Sequence, residues 1–226
     1  MLRGISAEEW ILLISEKDTF EEFIWKHKFY NPIDFPTYEA KFTKAQEKTG
    51  LTEAVLTGCC RIGLCKTVII VMDSRFMMGS LGTASGEIIC RAFEYAAKKK
   101  LPVVAVISSG GARMHEGTYS LIQMVNTSAA VRKHNEKGLL YISVITDPTL
   151  GGVSASFASL ADIIIAEPDA TFGFTGQRII ENTMNTTFPE NFQKGTFALQ
   201  SGAVDILCEH MNIKDTVNRV LTIHTR

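Results

Sequence analysis

Residues 102–116 read PVVAVISSGGARMHE and residues 140–154 read LYISVITDPTLGGVS, and the two stretches share one design. In each, a run of apolar, largely β-branched residues, 102–108 or 140–146, is broken by a stretch that ends in a pair of glycines, Gly110-Gly111 after the first and Pro148-Thr149-Leu150-Gly151-Gly152 after the second. Apolar runs without polar alternation suit strands buried on both faces, and such strands belong to parallel sheets crossed over by helices. Residues 116–133 supply the first crossover, with Leu121, Met124, Val125 and Ser128 at core spacing on a helix. After the second glycine pair, residues 153–160 predict a short helix of small residues, and 162–166 (DIIIA) a third strand. The order strand, helix, strand, helix, strand predicts an α/β fold with right-handed crossovers.

Working outward, residues 53–62 and 66–74 are rich in Val, Ile, Leu and Thr and turn at Gly63, which predicts a hairpin. A small-residue loop over 79–86 leads into a helix over 87–100. Upstream, 41–48 predicts a helix ended by Gly50, and Pro32 and Pro36 mark an irregular crossing. Two shorter helices are expected before it. Ser6 with Glu9 and Asp18 with Glu21 have capping-box spacing, and Trp10, Leu13 and Ile14, like Phe20, Phe23 and Ile24, fall on one helical face. Residues 190–201 and 214–224 read as closing helices. With no linker or low-complexity tract, the expectation is one domain over 1–226, with 1–50 as a helical N-terminal extension.

Composition removes several classes of function. The 226 residues carry 23 Lys and Arg against 24 Asp and Glu, a net charge of −1, which argues against nucleic acid as the main ligand. The densest apolar stretch, 67–72, is far short of the ~20 residues of a spanning helix. Glu8 and Glu9 stand where a secretory leader would be apolar, so a cytoplasmic location is expected. The cysteines Cys59, Cys60, Cys65, Cys90 and Cys208 form neither a disulfide framework nor a Cys-x-x-Cys pair, and read as thiols on neighbouring strands. His27, His134, His210 and His224 lack metal-ligand spacing, so no metal site is expected. Lys98, Lys99 and Lys100 close a helix, where they complement its dipole.

The glycine pairs are the candidate chemistry. A strand that ends at glycine and passes into a helix presents unpaired backbone N–H groups and partial positive charge. Two such ends side by side could aim two donors at one oxygen, each worth about 3 kcal/mol of transition-state stabilisation. For either pair alone, punctuation between strand and helix explains the glycines as well. Neither pair fits Gly-x-Gly-x-x-Gly or a P-loop, and Gly-x-Ser-x-Gly is absent, so Ser154 and Ser156 read as small residues for close packing. His115, beside Glu116, is either a base or, more simply, a surface or capping histidine.

Longer motifs then carry a resemblance. SGGARMHEG at 109–117 resembles the SGGARMxEG motif of acetyl-CoA carboxylase carboxyltransferase β subunits, and PTLGGVSASFA at 148–158 resembles their PTxGGVSASFA. MGSLG at 78–82 is similar to MGSMG, and QEKTG at 46–50 also matches. Ala166-Glu167-Pro168, Gly173-Phe174-Thr175-Gly176 and Arg178 resemble AEPxAxIGFAGxR. The resemblance runs in family order from about residue 30 onward.

It implies a crotonase-like (ClpP/crotonase) spiral of ββα units. It also implies transfer of a carboxyl group from carboxybiotin on a carrier protein to acetyl-CoA, giving malonyl-CoA for fatty-acid or polyketide synthesis in an ATP-dependent complex. Backbone N–H groups at Gly110, Gly111, Gly151 and Gly152 would hold the enolate oxygen, and the freed ureido nitrogen of biotin would take the proton. Gly79, Ser80, Ala112, Arg113, Val153, Phe174 and Gly176 would line the acyl-CoA site. The implied partners are a carboxyltransferase α subunit, in a heterotetramer of two α and two β chains with the active site at the interface, a biotin carboxyl carrier protein and a biotin carboxylase. The four-cysteine zinc ribbon that opens bacterial β subunits has no counterpart here, so no zinc is expected in this chain. Ile88 follows Gly86-Glu87 where the family has Lys, and His115 and Gln177 stand where it has Gln and Pro, which suggests a specialised paralogue. Two other readings use the same residues: a biotin-independent acyl-CoA decarboxylase or hydrolase on the same scaffold, and a non-catalytic β-like scaffold.

Overall fold

In the computed structural model, which describes residues 5–26, 28–185 and 187–224, the alternation of apolar runs and glycines builds one mixed sheet. Helix α1 (Ala7–Ile14) begins with the expected capping box: Ser6 Oγ accepts the Glu9 N–H (3.0 Å) and a Glu9 carboxylate oxygen accepts the Ser6 N–H (2.7 Å).

The second expected helix is instead an edge strand, β1 (Glu21–Glu22), antiparallel to Gly58 and Cys59. Phe20 and Phe23 pack on opposite faces of the sheet, as odd spacing requires in a strand. A helix this short is marginal by itself, whereas the sheet edge offers partners such as Thr57 C=O for the Phe23 N–H (2.8 Å). Helix α2 (Tyr38–Thr49) ends at Gly50, as expected.

The hairpin forms from β2 (Val55–Ile62) and β3 (Cys65–Met72), and places Cys59, Cys60 and Cys65 on neighbouring strands. Helix α3 (Thr83–Lys99) starts inside the segment expected as loop, because the Glu116 carboxylate accepts the Thr83 N–H (2.6 Å) and hydroxyl (2.8 Å) and satisfies the helix start. Lys98, Lys99 and Lys100 lie exposed at its far end. Strand β4 (Val103–Ser109) leads to α4 (Thr118–Asn135) and then to β5 (Tyr141–Leu150), which continues through Pro148 rather than breaking there. After it come a single turn, α5 (Gly151–Ser154), then β6 (Ile163–Ala166), β7 (Phe172–Gly173), α6 (Gln177–Met184), α7 (Gly195–Gln200), β8 (Ile206–Leu207) and α8 (Ile213–His224). The small-residue helix expected over 153–160 is thus that turn and a 3-10 turn at Phe157–Ser159.

The strand order is β1-β2-β3-β4-β5-β6-β8, antiparallel through β3 and parallel beyond it, with β7 alongside the end of β5. Extended pairing continues at and past the strand ends: Leu81 with Ala112 outside the strands, the last residue of β4, Ser109, with Thr149 after a register shift, and the end of β5, Thr149–Leu150, with β7. β3 and β4 are thus each followed by a second extended piece, and β5 ends in one past its register shift, before a helical turn or helix, which is the crotonase-like ββα spiral. Along β4, Val103, Ala105 and Ile107 face α3 and α4, while Val104 and Val106 face α1 and α8. All five are fully buried, which is why the run carries no polar alternation.

Helix α4 buries a different face from the expected one. Leu121 and Val125 are exposed, Met124 and Ser128 only partly buried, while Ser120, Gln123, Thr127, Ala130, Val131 and His134 point inward. Small residues let α4 lie close on α3, and the buried hydroxyls bond within their own helix, Ser120 to Gly117 C=O (2.7 Å) and Thr127 to Gln123 C=O (2.8 Å). No helix among the described residues is long and apolar enough to cross a membrane.

Candidate active site

Strands β4 and β5 are parallel neighbours, so their carboxyl ends deliver both glycine pairs to one place. Gly111 (φ 109°) and Gly151 (φ 61°) meet back to back: a Cβ added to Gly111 would lie 3.1 Å from Gly151 Cα and 3.2 Å from Gly152 N. Side chains rarely adopt these conformations, and here there is no room for one.

Three of the four expected glycine donors are engaged inside the protein. The Gly110 N–H bonds Met78 C=O (2.7 Å), the Gly111 N–H bonds Ser109 Oγ (3.1 Å), and the Gly151 N–H bonds Phe174 C=O (2.8 Å). Only the Gly152 N–H of the four has no acceptor among the described residues. On the first loop, Gly111 C=O and the Arg113 N–H both bond Leu81 (2.8 and 2.9 Å). In an extended segment the residue between them turns its N–H and C=O the other way. That residue is Ala112, whose Cβ lies 3.3 Å from where a Gly152 Cβ would be, and whose N–H also has no acceptor among the described residues. Where the two loops touch, the N–H groups of Ala112 and Gly152 are therefore the ones left without an acceptor among the described residues, while those of Gly110, Gly111 and Gly151 are engaged.

Arg113, expected to line the acyl-CoA site, points into the protein interior. It is fully buried, and its donors go to both Glu53 carboxylate oxygens, Tyr38 Oη (3.3 Å), Ser80 Oγ (3.1 Å) and Ser80 C=O (2.9 Å). A guanidinium has five N–H groups, and all are used. Burial opposes its charge, but Glu53 more than offsets this and holds the pKa above the usual guanidinium value. Glu116 accepts the Tyr38 hydroxyl (2.6 Å), whose pKa burial pushes up despite Arg113 beside it. This network ties α2, the hairpin and the start of α3 to the first glycine loop. Breaking such a buried pair from one side typically costs about 3–5 kcal/mol.

The other expected substrate contacts divide in the same way. Gly79 and Ser80 are buried behind the first loop, where Gly79 C=O accepts the Ser109 hydroxyl (2.6 Å), and Val153 lies in the core. Ala112, Phe174 and Gly176 reach the surface, with Phe174 64% exposed. Ser154 and Ser156 do more than allow packing. Ser154 Oγ donates to Gly151 C=O (2.8 Å) or Gly173 C=O (2.7 Å), and Ser156 Oγ to Gly152 C=O (2.7 Å), which fastens the second loop. His115 stacks on Tyr38, with Nε2 3.3 Å from Lys41 Nζ. Burial, then Lys41 and Arg113, lower its pKa. The ring belongs to the α2 contact, in keeping with the surface reading. Burial pushes the Cys60 thiol up to about 12, away from reactivity. Among the described residues, no three His, Cys, Asp or Glu side chains are grouped to hold a metal. His27 and the Arg178 side chain lie outside the described residues.

Glu53, Tyr38 and the capping role of Glu116 escape a reading of the sequence. Glu53 offers one weak signal, an acid at the mouth of an apolar strand.

The family model described as carboxyl transferase domain matches residues 24–213. The chain is 51% identical over 221 residues to the acetyl-coenzyme A carboxylase carboxyl transferase subunit beta of Clostridium botulinum strain Alaska E43, covering 97% of this chain and 76% of that protein. The corresponding protein of strain Hall is 49% identical over 220 residues, with the same coverage. Among solved structures, transcarboxylase 12S with methylmalonyl-coenzyme A and methylmalonic acid bound superposes with a TM-score of 0.82 at 22% identity, over 96% of this chain and 41% of that one. The Pseudomonas malonate decarboxylase MdcD–MdcE heterodimer gives 0.75 at 20% identity, over 98% and 89%. At these identities the structural likeness establishes the fold alone.

Proposed function

The chain belongs to the family of acetyl-coenzyme A carboxylase carboxyl transferase β subunits, and from that premise we propose that its paired glycine loops hold the thioester of acetyl-CoA while it is carboxylated to malonyl-CoA. The observation that carries this reading is the pair of N–H groups, Ala112 and Gly152, that have no acceptor among the described residues where the two loops touch. Removing a proton from the methyl carbon of a thioester sends negative charge to the carbonyl oxygen. Fixed backbone donors stabilise that charge without reorganising, because the fold has already oriented them. Carboxybiotin on a carrier protein supplies the carboxyl group and, once relieved of it, a nitrogen able to accept the proton. The residues around the loops fit that division of labour, since His115 is held at α2 and Arg113 is committed to Glu53 and Ser80. What this chain contributes is the oriented oxygen site and its exposed rim, Ala112, Phe174 and Gly176.

Helix α4 supports a partner. It leaves Tyr119, Leu121, Ile122 and Val125 exposed on the helix that follows the first loop, and Phe174 is exposed beside the second. An apolar face of this kind marks an interaction surface. The reading places a carboxyltransferase α subunit there, within a cytoplasmic heterotetramer of two α and two β chains served by a biotin carboxyl carrier protein and a biotin carboxylase.

The test is carboxyl exchange from malonyl-CoA to a biotin derivative, following acetyl-CoA. Activity requiring both this chain and an α subunit supports the half-site. Acetyl-CoA released by this chain alone, without biotin, would transfer the assignment to a decarboxylase.

A further inference from the structure

The second glycine loop takes its acceptors from residues 173 and 174, and that segment, paired on one side with the end of β5, is held on the other by Gln193. Its backbone carbonyl accepts the Phe172 N–H (2.7 Å), and its side-chain Nε2 donates to Thr175 C=O (2.7 Å). It thus holds the segment on both sides of residues 173 and 174. Gly173 makes room for the grip, since a Cβ there would come within 2.5 Å of Gln193 Nε2. In turn, Phe174 C=O accepts the Gly151 N–H (2.8 Å) and Gly173 C=O accepts the Ser154 hydroxyl (2.7 Å). Those bonds fix the turn from which the Gly152 N–H projects.

Gln193 is poorly chosen for stability alone. It sits at φ 61°, a conformation that residues with a Cβ adopt rarely. The side chain is buried to 7% exposure, and Oε1 has no hydrogen-bond partner among the described residues. A buried amide with an unmet acceptor is unfavourable, and a methionine would fill similar space without one. What the amide adds is the bond to Thr175.

We propose that Gln193 is a positioning residue for carboxyl transfer, clamping residues 172–175 so that the second loop presents the Gly152 N–H to the substrate oxygen. The inference rests on the carboxyl-transfer reading of the site. Gln193 acts through the loop, so it governs turnover and leaves substrate affinity alone. A donor displaced by a fraction of the 1 Å scale at which reactions lose about 10²-fold still gives a readily measured effect.

The test compares the wild-type chain, Gln193→Met and Gln193→Glu, each assembled with the α subunit, in malonyl-CoA exchange with a biotin derivative across pH. Amide hydrogen exchange of residues 172–176 is measured on the same proteins. The methionine variant is expected to lose about 10- to 100-fold in kcat at every pH, with KM within about twofold. Its residues 172–176 should exchange faster, and its Tm should not fall. The glutamate variant donates to Thr175 C=O only when protonated, so its kcat relative to wild type should rise as pH falls. That arm also serves if the methionine variant does not fold. A methionine variant with wild-type kcat, a change confined to KM, or unchanged exchange at 172–176 would overturn the inference and leave the carboxyl-transfer reading standing. A wild-type complex without biotin-dependent exchange would overturn that reading instead, and the hydrogen-exchange arm would still decide whether Gln193 holds the segment.

Discussion

At the scale of the residue, the proposed site turns on which backbone N–H groups the protein leaves unused. Gly152 can be tested for this directly. Proline at 152 removes the N–H at a first-turn position that tolerates proline, whereas alanine keeps it. The alanine Cβ would lie 3.0 Å from Met124 Sδ, the flexible part of a side chain that can move aside, and 3.3 Å from Ala112 Cβ, a tight contact that the loops must take up by a small shift. Gly152→Ala is therefore expected to keep exchange activity within about tenfold, while Gly152→Pro loses about 10²–10³ in kcat, the usual effect of deleting one oxyanion donor. Equal losses in steady-state exchange kinetics would mean that bulk at 152, and not its N–H, is what matters. The glycine pairs were legible because adjacent parallel strands must bring their ends together. Which N–H groups remained unused was not, because the answer depends on Leu81, Met78 and Phe174, distant in sequence. The burial of Arg113 was hidden for the same reason: its partners Glu53 and Tyr38 are 60 and 75 residues away.

At the scale of the element, apolar periodicity marked where most strands and helices lie, but not always which way they face. The apolar repeat in α4 exists, yet it points to solvent, because Ser120, Gln123 and Thr127 pack against α3 with their polar groups bonded inside the helix or to near neighbours. Hydropathy treats such residues as surface, since it has no term for a hydroxyl satisfied one turn away. The same limit hid β1, where Phe20 and Phe23 fit a helical face on paper and a two-sided strand in the fold. If the outward stripe on α4 seats a partner, a charge placed on it should act on assembly alone. Val125 is 69% exposed, so Val125→Asp should change the stability of the isolated chain by no more than about 0.5 kcal/mol. Burying that carboxylate in an apolar interface is costly, so the complex with the α subunit should dissociate in size-exclusion chromatography, and biotin-dependent exchange should fall with it. A complex that survives the substitution would move the interface elsewhere.

At the scale of the whole molecule, the sheet separates two cores with different tasks. One, under α3, α4 and α5, contains Leu81 and Val153, which anchor the two glycine loops. The other, under α1 and α8, contains Trp10, Ile11, Ile14, Val217 and Leu221, far along the chain from the loops and across the sheet from them. Trp10 is 3% exposed and meets the His210 ring edge-on at 4.6 Å. Trp10→Ala opens a cavity in that second core and should cost about 3–5 kcal/mol, since the surrounding side chains collapse only partly around it. In a chain of this length each kcal/mol lowers Tm by about 2–4 °C. Yet β4 and β5 cross both cores as buried strands, and their register, fixed by hydrogen bonds rather than by Trp10, sets where the loops emerge. Exchange activity per folded molecule, measured well below the lowered Tm, should therefore stay within about twofold of wild type. A matched fall in turnover would show that packing on the far face reaches the loops through the sheet, and that the two cores act as one.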